Sequence, residues 1–205
     1  LYSAAERRVL TRVGAGKTPA AATLEYFQEH GKNPVNTALI PADVDVWLAT
    51  LERFGTISFA EAAGPALELA EDGYHLYKMQ KWMMDDQTEA ILRFEYNTEF
   101  WFQHGLGEQR VGDLMRNRDL GRLIRYMISA EEEALASGGS RSEGIRAARD
   151  AFYKGEPARD VAAFFQELGG LVTYDDLASY EAEWMDPVQT TYMGYDVYAG
   201  DGWSQ

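Results

Sequence analysis

Val44, Trp47, Leu48 and Leu51 recur at i, i+3, i+4 and i+7, the spacing that lines up one face of an α-helix. Asp43 is placed to cap its start, and Gly55 to end it in the left-handed conformation. Ser58 and Glu61 then form an S-x-x-E capping box, with Ile57 positioned to staple the entry and Ala66, Leu67 and Ala70 running on to Gly73. Pro65 is expected to bend or divide that helix, because it lacks an N–H and its ring crowds the preceding turn. From Tyr77 to Phe102 a stripe of Met79, Trp82, Met83, Ile91, Phe94, Phe100, Trp101 and Phe102 at roughly helical spacing reads as core. Leu120, Leu123, Ile124, Met127 and Ile128 mark a further amphipathic helix.

Ser137-Gly138-Gly139-Ser140 reads as an exposed loop, after which Ile145 to Tyr153 is helical again. Pro157 suits a first helical position, Val161, Phe164, Phe165 and Leu168 form the expected buried face, and Gly169-Gly170 ends the helix. Thr173 with Asp176 predicts one more cap. Only at the two ends does the period change. Leu1 to Val13 fits two strands around a turn, and Val188, Thr190, Tyr192 followed by Tyr195, Val197, Tyr198 alternate about Met193-Gly194 as a hairpin. An isolated hairpin is marginal in water, so these strands are expected to join strands absent from this sequence.

Charge narrows the partners. There are 19 Lys plus Arg against 33 Asp plus Glu, a net charge of −14 among 205 residues, and such a field repels nucleic acid and anionic lipid. Between Asp160 and Gln205 nine residues are acidic and none is basic, which reads as a solvated face or as a surface whose cations lie on another chain. No apolar run reaches the length of a membrane span, and Leu1-Tyr2-Ser3 is neither an initiator Met nor a signal peptide. The chain reads as soluble, with the compartment open between export and cytoplasm. The lack of cysteine removes disulfides, zinc–thiolate sites and a Cys nucleophile.

Chemistry within the chain is sparse. Gly14-Ala15-Gly16-Lys17-Thr18 looks like the end of a phosphate loop, but Thr11 stands where the leading glycine belongs and Pro19 where the helix should continue. His30, His75 and His104 lack partners at metal-site spacing and read as surface histidines. Of the acidic pairs Asp85-Asp86 and Asp175-Asp176, the second is better explained by helix capping. Ser204 in Gly202-Trp203-Ser204-Gln205 stays unresolved as a G-x-S-x-G elbow, since the final position lies past Gln205. No catalytic residue, metal ligand or cofactor is assigned.

Several blocks in order resemble the large subunit of the gamma-glutamyltransferase family. They are Thr18-Pro19-Ala20-Ala21-Ala22-Thr23, Ile40 to Ala49, Glu52-Arg53-Phe54-Gly55-Thr56, Glu61 to Gly73, Asp119-Leu120-Gly121-Arg122, Ala151-Phe152-Tyr153-Lys154-Gly155, Gly169 to Leu177 and Tyr192 to Tyr198. Tyr74 to Asn97 is the weakest stretch. The resemblance implies an α+β fold, the mostly helical part of the large subunit of a four-layer α/β/β/α N-terminal nucleophile hydrolase, with short strands at both ends joining a sheet completed elsewhere. Residues 1–205 would then be the middle portion of that subunit, a single domain incomplete alone. It implies a self-cleaving precursor whose small subunit carries an N-terminal Thr or Ser that attacks a small-molecule amide, its α-amine acting as base. Thr190-Thr191 has the context of a strand rather than of the cleavage site.

Two departures bear on the substrate. In the transferases an Arg four residues before the proline of the A-P-A-x-A-T segment holds the substrate α-carboxylate, and counting back from Pro19 reaches Ala15. Arg12 and Lys17 are the cations nearby that could take the role. Gly200-Asp201-Gly202-Trp203-Ser204-Gln205 replaces a proline-rich segment, which points to an altered substrate or acceptor shape. The competing reading, from another class, is a non-catalytic helical interaction module.

Overall fold

A computed structural model describes residues 1–200. In chain order the elements are β1 (Tyr2–Ser3), β2 (Arg8–Val9), β3 (Thr11–Arg12), α1 (Leu24–His30), α2 (Asp43–Phe54), α3 (Phe59–Glu71), β4 (Tyr74–His75), α4 (Lys78–Asp86), α5 (Thr88–Ile91), α6 (Glu95–Trp101) and β5 (Leu114–Met115). There follow α7 (Arg118–Ala136), α8 (Arg141–Lys154), α9 (Glu156–Glu167), α10 (Tyr174–Ala178), β6 (Trp184–Met185), β7 (Val188–Tyr192) and β8 (Tyr195–Ala199). The described residues fall into two compact units, one of residues 1–59 with 127–200 and one of residues 60–126.

In the larger unit α8 packs against α2 and α9, and α10 against α8 and α9. The buried side of α8 presents Ile145, Ala148, Phe152 and Tyr153. Ser140 caps this helix in a reciprocal box with Glu143, so the predicted loop ends at the cap and the helix begins four residues before Ile145. Gly144 is where α8 meets the last turns of α7: a Cβ there would lie 3.1 Å from both Glu131 Cγ and Leu135 Cγ. Glu131 is itself buried and accepts the Phe59 N–H at 2.7 Å, satisfying a backbone donor in the first turn of α3. Thr173 and Asp176 form the expected cap of α10.

Among the described residues the strands pair in four two-stranded ladders. β1 and β2 are antiparallel, as the alternation at the start predicts. β3 pairs with β6, Arg12 opposite Trp184, so the head of the chain joins a tail strand that periodicity did not single out. β7 and β8 form the expected hairpin around Met193 and Gly194, both at positive φ. All ten of its strand residues are exposed. Glu183 and Asp186, from the acidic stretch, find cations within this chain, Lys17 at 3.5 Å and Arg8 at 3.7 Å.

In the smaller unit Leu76, Met84, Phe102 and Met115 form the core, with Tyr74, Ile91 and Trp101 against it. Glu71 pairs with Arg125 across α3 and α7, and that contact holds the Glu71 carboxyl below its usual range. The β4–β5 ladder sets Tyr74 opposite Met115.

Several local expectations are corrected. Asp43 is the first helical residue of α2, not its cap; Ala42 takes that position without a side-chain bond, while Asp43 and Asp45 place negative charge in the first turn, where the helix dipole favours it. Gly55 ends α2 in an extended conformation, φ −80°, rather than the left-handed one. Trp47 is exposed, and the buried residues of α2 are Asp45 and Leu48: a polar side chain with three donors outcompeted an indole for the interior. Met79, Trp82 and Met83 are exposed while Met84 is buried, because the stripe is broken into α4, α5 and α6 and no single helical face runs through it. In α9 the buried residues are Ala158 and Ala162, whereas Phe164 and Leu168 are exposed, since close helix contact selects small side chains. Pro65 leaves α3 a single helix, and Ile57 before it is exposed.

Candidate functional site

The residues that matter most converge in the larger unit, where β3 enters the Gly14-Ala15-Gly16-Lys17 turn. Val13 donates its N–H to the Glu183 carbonyl at 3.0 Å, and Ile40 donates its own to the Lys17 carbonyl at 2.9 Å. The turn is held from both sides and packed closely. A Cβ on Gly14 would stand 2.9 Å from Val46 Cγ2, and one on Gly16, at φ +80°, 2.6 Å from the Ile40 carbonyl oxygen. Ala15 between them is exposed. Downstream, Pro19 is buried and Ala20 donates its N–H to Asp176 Oδ1 at 2.9 Å, so the cap of α10 also anchors this segment. Burial works against the Asp176 charge, but the Thr173 hydroxyl and the Ala20 and Thr173 N–H groups together hold its carboxyl below the ordinary value.

Below the turn sits an ion cluster. Asp45 is fully buried; its Oδ2 accepts from Arg12 Nη2 at 2.6 Å and from the Ala182 N–H at 2.9 Å, and its Oδ1 accepts from Arg149 Nε. Burial opposes its ionisation most strongly, yet the Ala182 N–H and the two guanidiniums outweigh it and keep the carboxyl below the usual range. Arg149 also donates to the Tyr180 carbonyl at 2.6 Å, and Tyr153 donates its hydroxyl to the Pro41 carbonyl at 2.7 Å. Burial raises the Tyr153 hydroxyl well above its normal value, so it stays a donor at any working pH. Trp184 lies against two guanidiniums, those of Arg12 at 5.0 Å and Arg53 at 4.7 Å from its ring centre.

This geometry settles where the two nearby cations go. Arg12, with 6% of its side chain exposed, bonds Asp45 through Nη2 and lies against Trp184 while its buried Nε has no partner, and Lys17 faces Glu183 at 3.5 Å. The cluster itself escaped the sequence reading, although an aspartate inside an otherwise apolar helical face was the available signal. The histidines are exposed as expected, each on a backbone carbonyl: His30 on Tyr26, His75 on Gly112 and His104 on Leu114. Thr190 and Thr191 lie in β7, in a strand as read. Ser204 and the segment from Asp201 onward lie outside the described residues. Among the described residues no group of three or more His, Asp or Glu is placed to hold a metal ion, and no helix is long and apolar enough to cross a membrane.

The described residues thus form a mostly helical mixed α/β chain in which β3, near its start, pairs with β6, near its end, with a held turn before an Ala-rich segment. The family model for Gamma-glutamyltranspeptidase matches residues 1–205, and the chain belongs to that family. It is 24% identical over 189 residues to the glutathione hydrolase-like YwrD proenzyme of Bacillus subtilis (strain 168), covering 90% of this chain and 33% of that protein. It is 27% identical over 191 residues to the glutathione hydrolase proenzyme of Escherichia coli (strain K12), covering 88% and 30%. Against the acylase ACY 1 proenzyme of Pseudomonas sp. (strain SE83) identity is 26% over 158 residues, covering 77% and 25%. The chain thus spans about a third or less of the length of these relatives. In fold it matches the gamma-glutamyltranspeptidase of Helicobacter pylori with a TM-score of 0.76 at 22% identity, over 95% of this chain and 56% of that one.

Proposed function

We propose that this chain is the large-subunit part of a self-processing amide hydrolase or acyltransferase whose substrate is not of the glutathione type. The nucleophile would be an N-terminal Thr or Ser on a small subunit cut from the same precursor, activated by its own α-amine. The family match from residue 1 to residue 205 carries the reading of a self-processed amide hydrolase or acyltransferase, which the names of the relatives, glutathione hydrolase and acylase proenzymes, support; of these, only the acylases go with the substrate restriction. The described residues contribute a frame: they hold the turn at Ala15 and present the exposed hairpin β7–β8, whose Val188, Val197 and tyrosines suit a covering subunit.

The substrate restriction follows from position 15. A bidentate clamp on a carboxylate needs a free guanidinium. Ala15 offers none, Arg12 is engaged with Asp45, and Lys17 is matched by Glu183. The reading is tested on the full-length protein by denaturing intact-mass analysis with N-terminal sequencing of every chain. Two chains are expected, the smaller beginning with Thr or Ser, and replacing that residue by Ala should leave one uncut precursor without amidase activity. A single polypeptide that hydrolyses no amide would overturn the enzyme reading.

A further inference from the structure

We propose that the hollow between α4, α5 and the end of α6, wholly within the smaller unit, is a binding site for an uncharged aromatic molecule that carries an N–H or O–H donor. The hollow exists because the Met and aromatic stripe is broken into three short helices. Met84 packs down into the core, while Met83 and Tyr77 stay at the mouth, each more than half exposed. Its volume is about 490 Å³, within the range of small-molecule sites. None of the described residues that line it is charged, and Lys81, next to Gln80 on α4, is paired with Asp85 at 2.6 Å. An ionic ligand would therefore lose its hydration without meeting a counter-charge. The rings of Tyr77 and Trp101 and the thioethers of Met83 and Met84 suit another aromatic ring, which both kinds of side chain attract.

One polar group adds a direction to this apolar surface. Gln80 lines the hollow and donates Nε2 to the Tyr74 hydroxyl at 2.7 Å, but its Oε1 is out of water and has no partner among the described residues. An amide oxygen in that state has given up the hydrogen bonds of water and gained none. A small turn of this side chain, which ends in the wall of the hollow, presents the oxygen to an occupant, and a donor on the ligand restores the missing bond. A purely apolar occupant leaves the oxygen unsatisfied, and an anionic one sets a second acceptor beside it.

The experiment uses the full-length protein with isotope-labelled methionine methyl groups, followed by NMR, and three probes of one shape. These are indole, 1-methylindole, which lacks the donor, and indole-3-acetate, which adds a carboxylate. Indole is expected to shift the Met83 and Met84 methyl resonances saturably and to leave those of Met127, Met185 and Met193, in the larger unit, where they were. 1-Methylindole should bind about fivefold more weakly, the worth of one hydrogen bond, and indole-3-acetate about tenfold more weakly or worse. Gln80→Met keeps the length of the side chain and removes the acceptor, so it should bring indole down to the affinity of 1-methylindole. No response at Met83 and Met84, or equal affinity for indole and 1-methylindole in the unaltered protein, would overturn the proposal. Neither result bears on the function proposed above, which stands or falls on self-processing and amide cleavage.

Discussion

Arg12 and Asp45, 33 residues apart in the chain, meet at 2.6 Å through Nη2 and Oδ2 with both side chains almost wholly out of water. Because the same carboxylate also takes Arg149 and the Ala182 N–H, one anion ties together β3, α2, α8 and the segment leading into β6. Removing one member of such a set is costly, since it leaves buried charge without a partner. Asp45→Ala is expected to destabilise the protein by about 3–5 kcal/mol, read from urea unfolding followed by tryptophan fluorescence. The exposed Arg122–Asp119 pair serves as the contrast: Arg122→Ala should leave the unfolding midpoint where it was.

The same cluster sets an acid limit. Asp45 and Asp176 both have carboxyls held below the ordinary range, so the folded state binds fewer protons than the unfolded one near the normal carboxyl value of about 3.9. Their stabilisation is fully present above that value and is lost as the pH falls through their lower folded values. Thermal midpoints should therefore be flat from pH 7 to about 5 in respect of these two groups and drop below about 4. Asp45→Asn should start from a lower midpoint and fall less steeply, and an equal fall in both proteins would show that Asp45 is not responsible.

Gly16 and Gly31 both have positive φ, +80° and +71°, but only Gly16 is crowded, its missing Cβ lying 2.6 Å from the Ile40 carbonyl oxygen. Gly16→Ala combines backbone strain with a steric shift and should cost about 1–3 kcal/mol. Gly31→Ala meets open space and should cost less. Unfolding curves of the two variants side by side check the order.

At the start of α8 the Ser140 hydroxyl accepts the Glu143 N–H while the Glu143 carboxylate accepts the Ser140 N–H. Ser140→Ala should cost about 1 kcal/mol and Ser140→Gly only a few tenths, because glycine lets water reach the freed donors. A larger loss for glycine than for alanine would mean that the cap is not the reason for the residue.

The helix that the spacing of Val44 to Leu51 marks and the Thr173/Asp176 cap lie within one or two helical turns, where local backbone geometry suffices to form them. The same holds for the Met193-Gly194 turn and the hairpin it joins. The order of short blocks likewise sufficed to place the chain in its family. None of this depends on distant parts of the chain.

What only the tertiary structure decided depends on partners far away. A helical repeat states which residues share a face; it does not state which face is covered, and so Trp47 lies outside while Asp45 lies inside. Asp45 is buried because its donors come from Arg12, Arg149 and Ala182, the last 137 residues away, and no window along the sequence contains them all. The pairing of β3 with β6 and the engagement of Arg12 and Lys17 away from position 15 have the same origin. Short-range geometry set the elements, and the long-range competition of buried charge for its few available donors set how they meet.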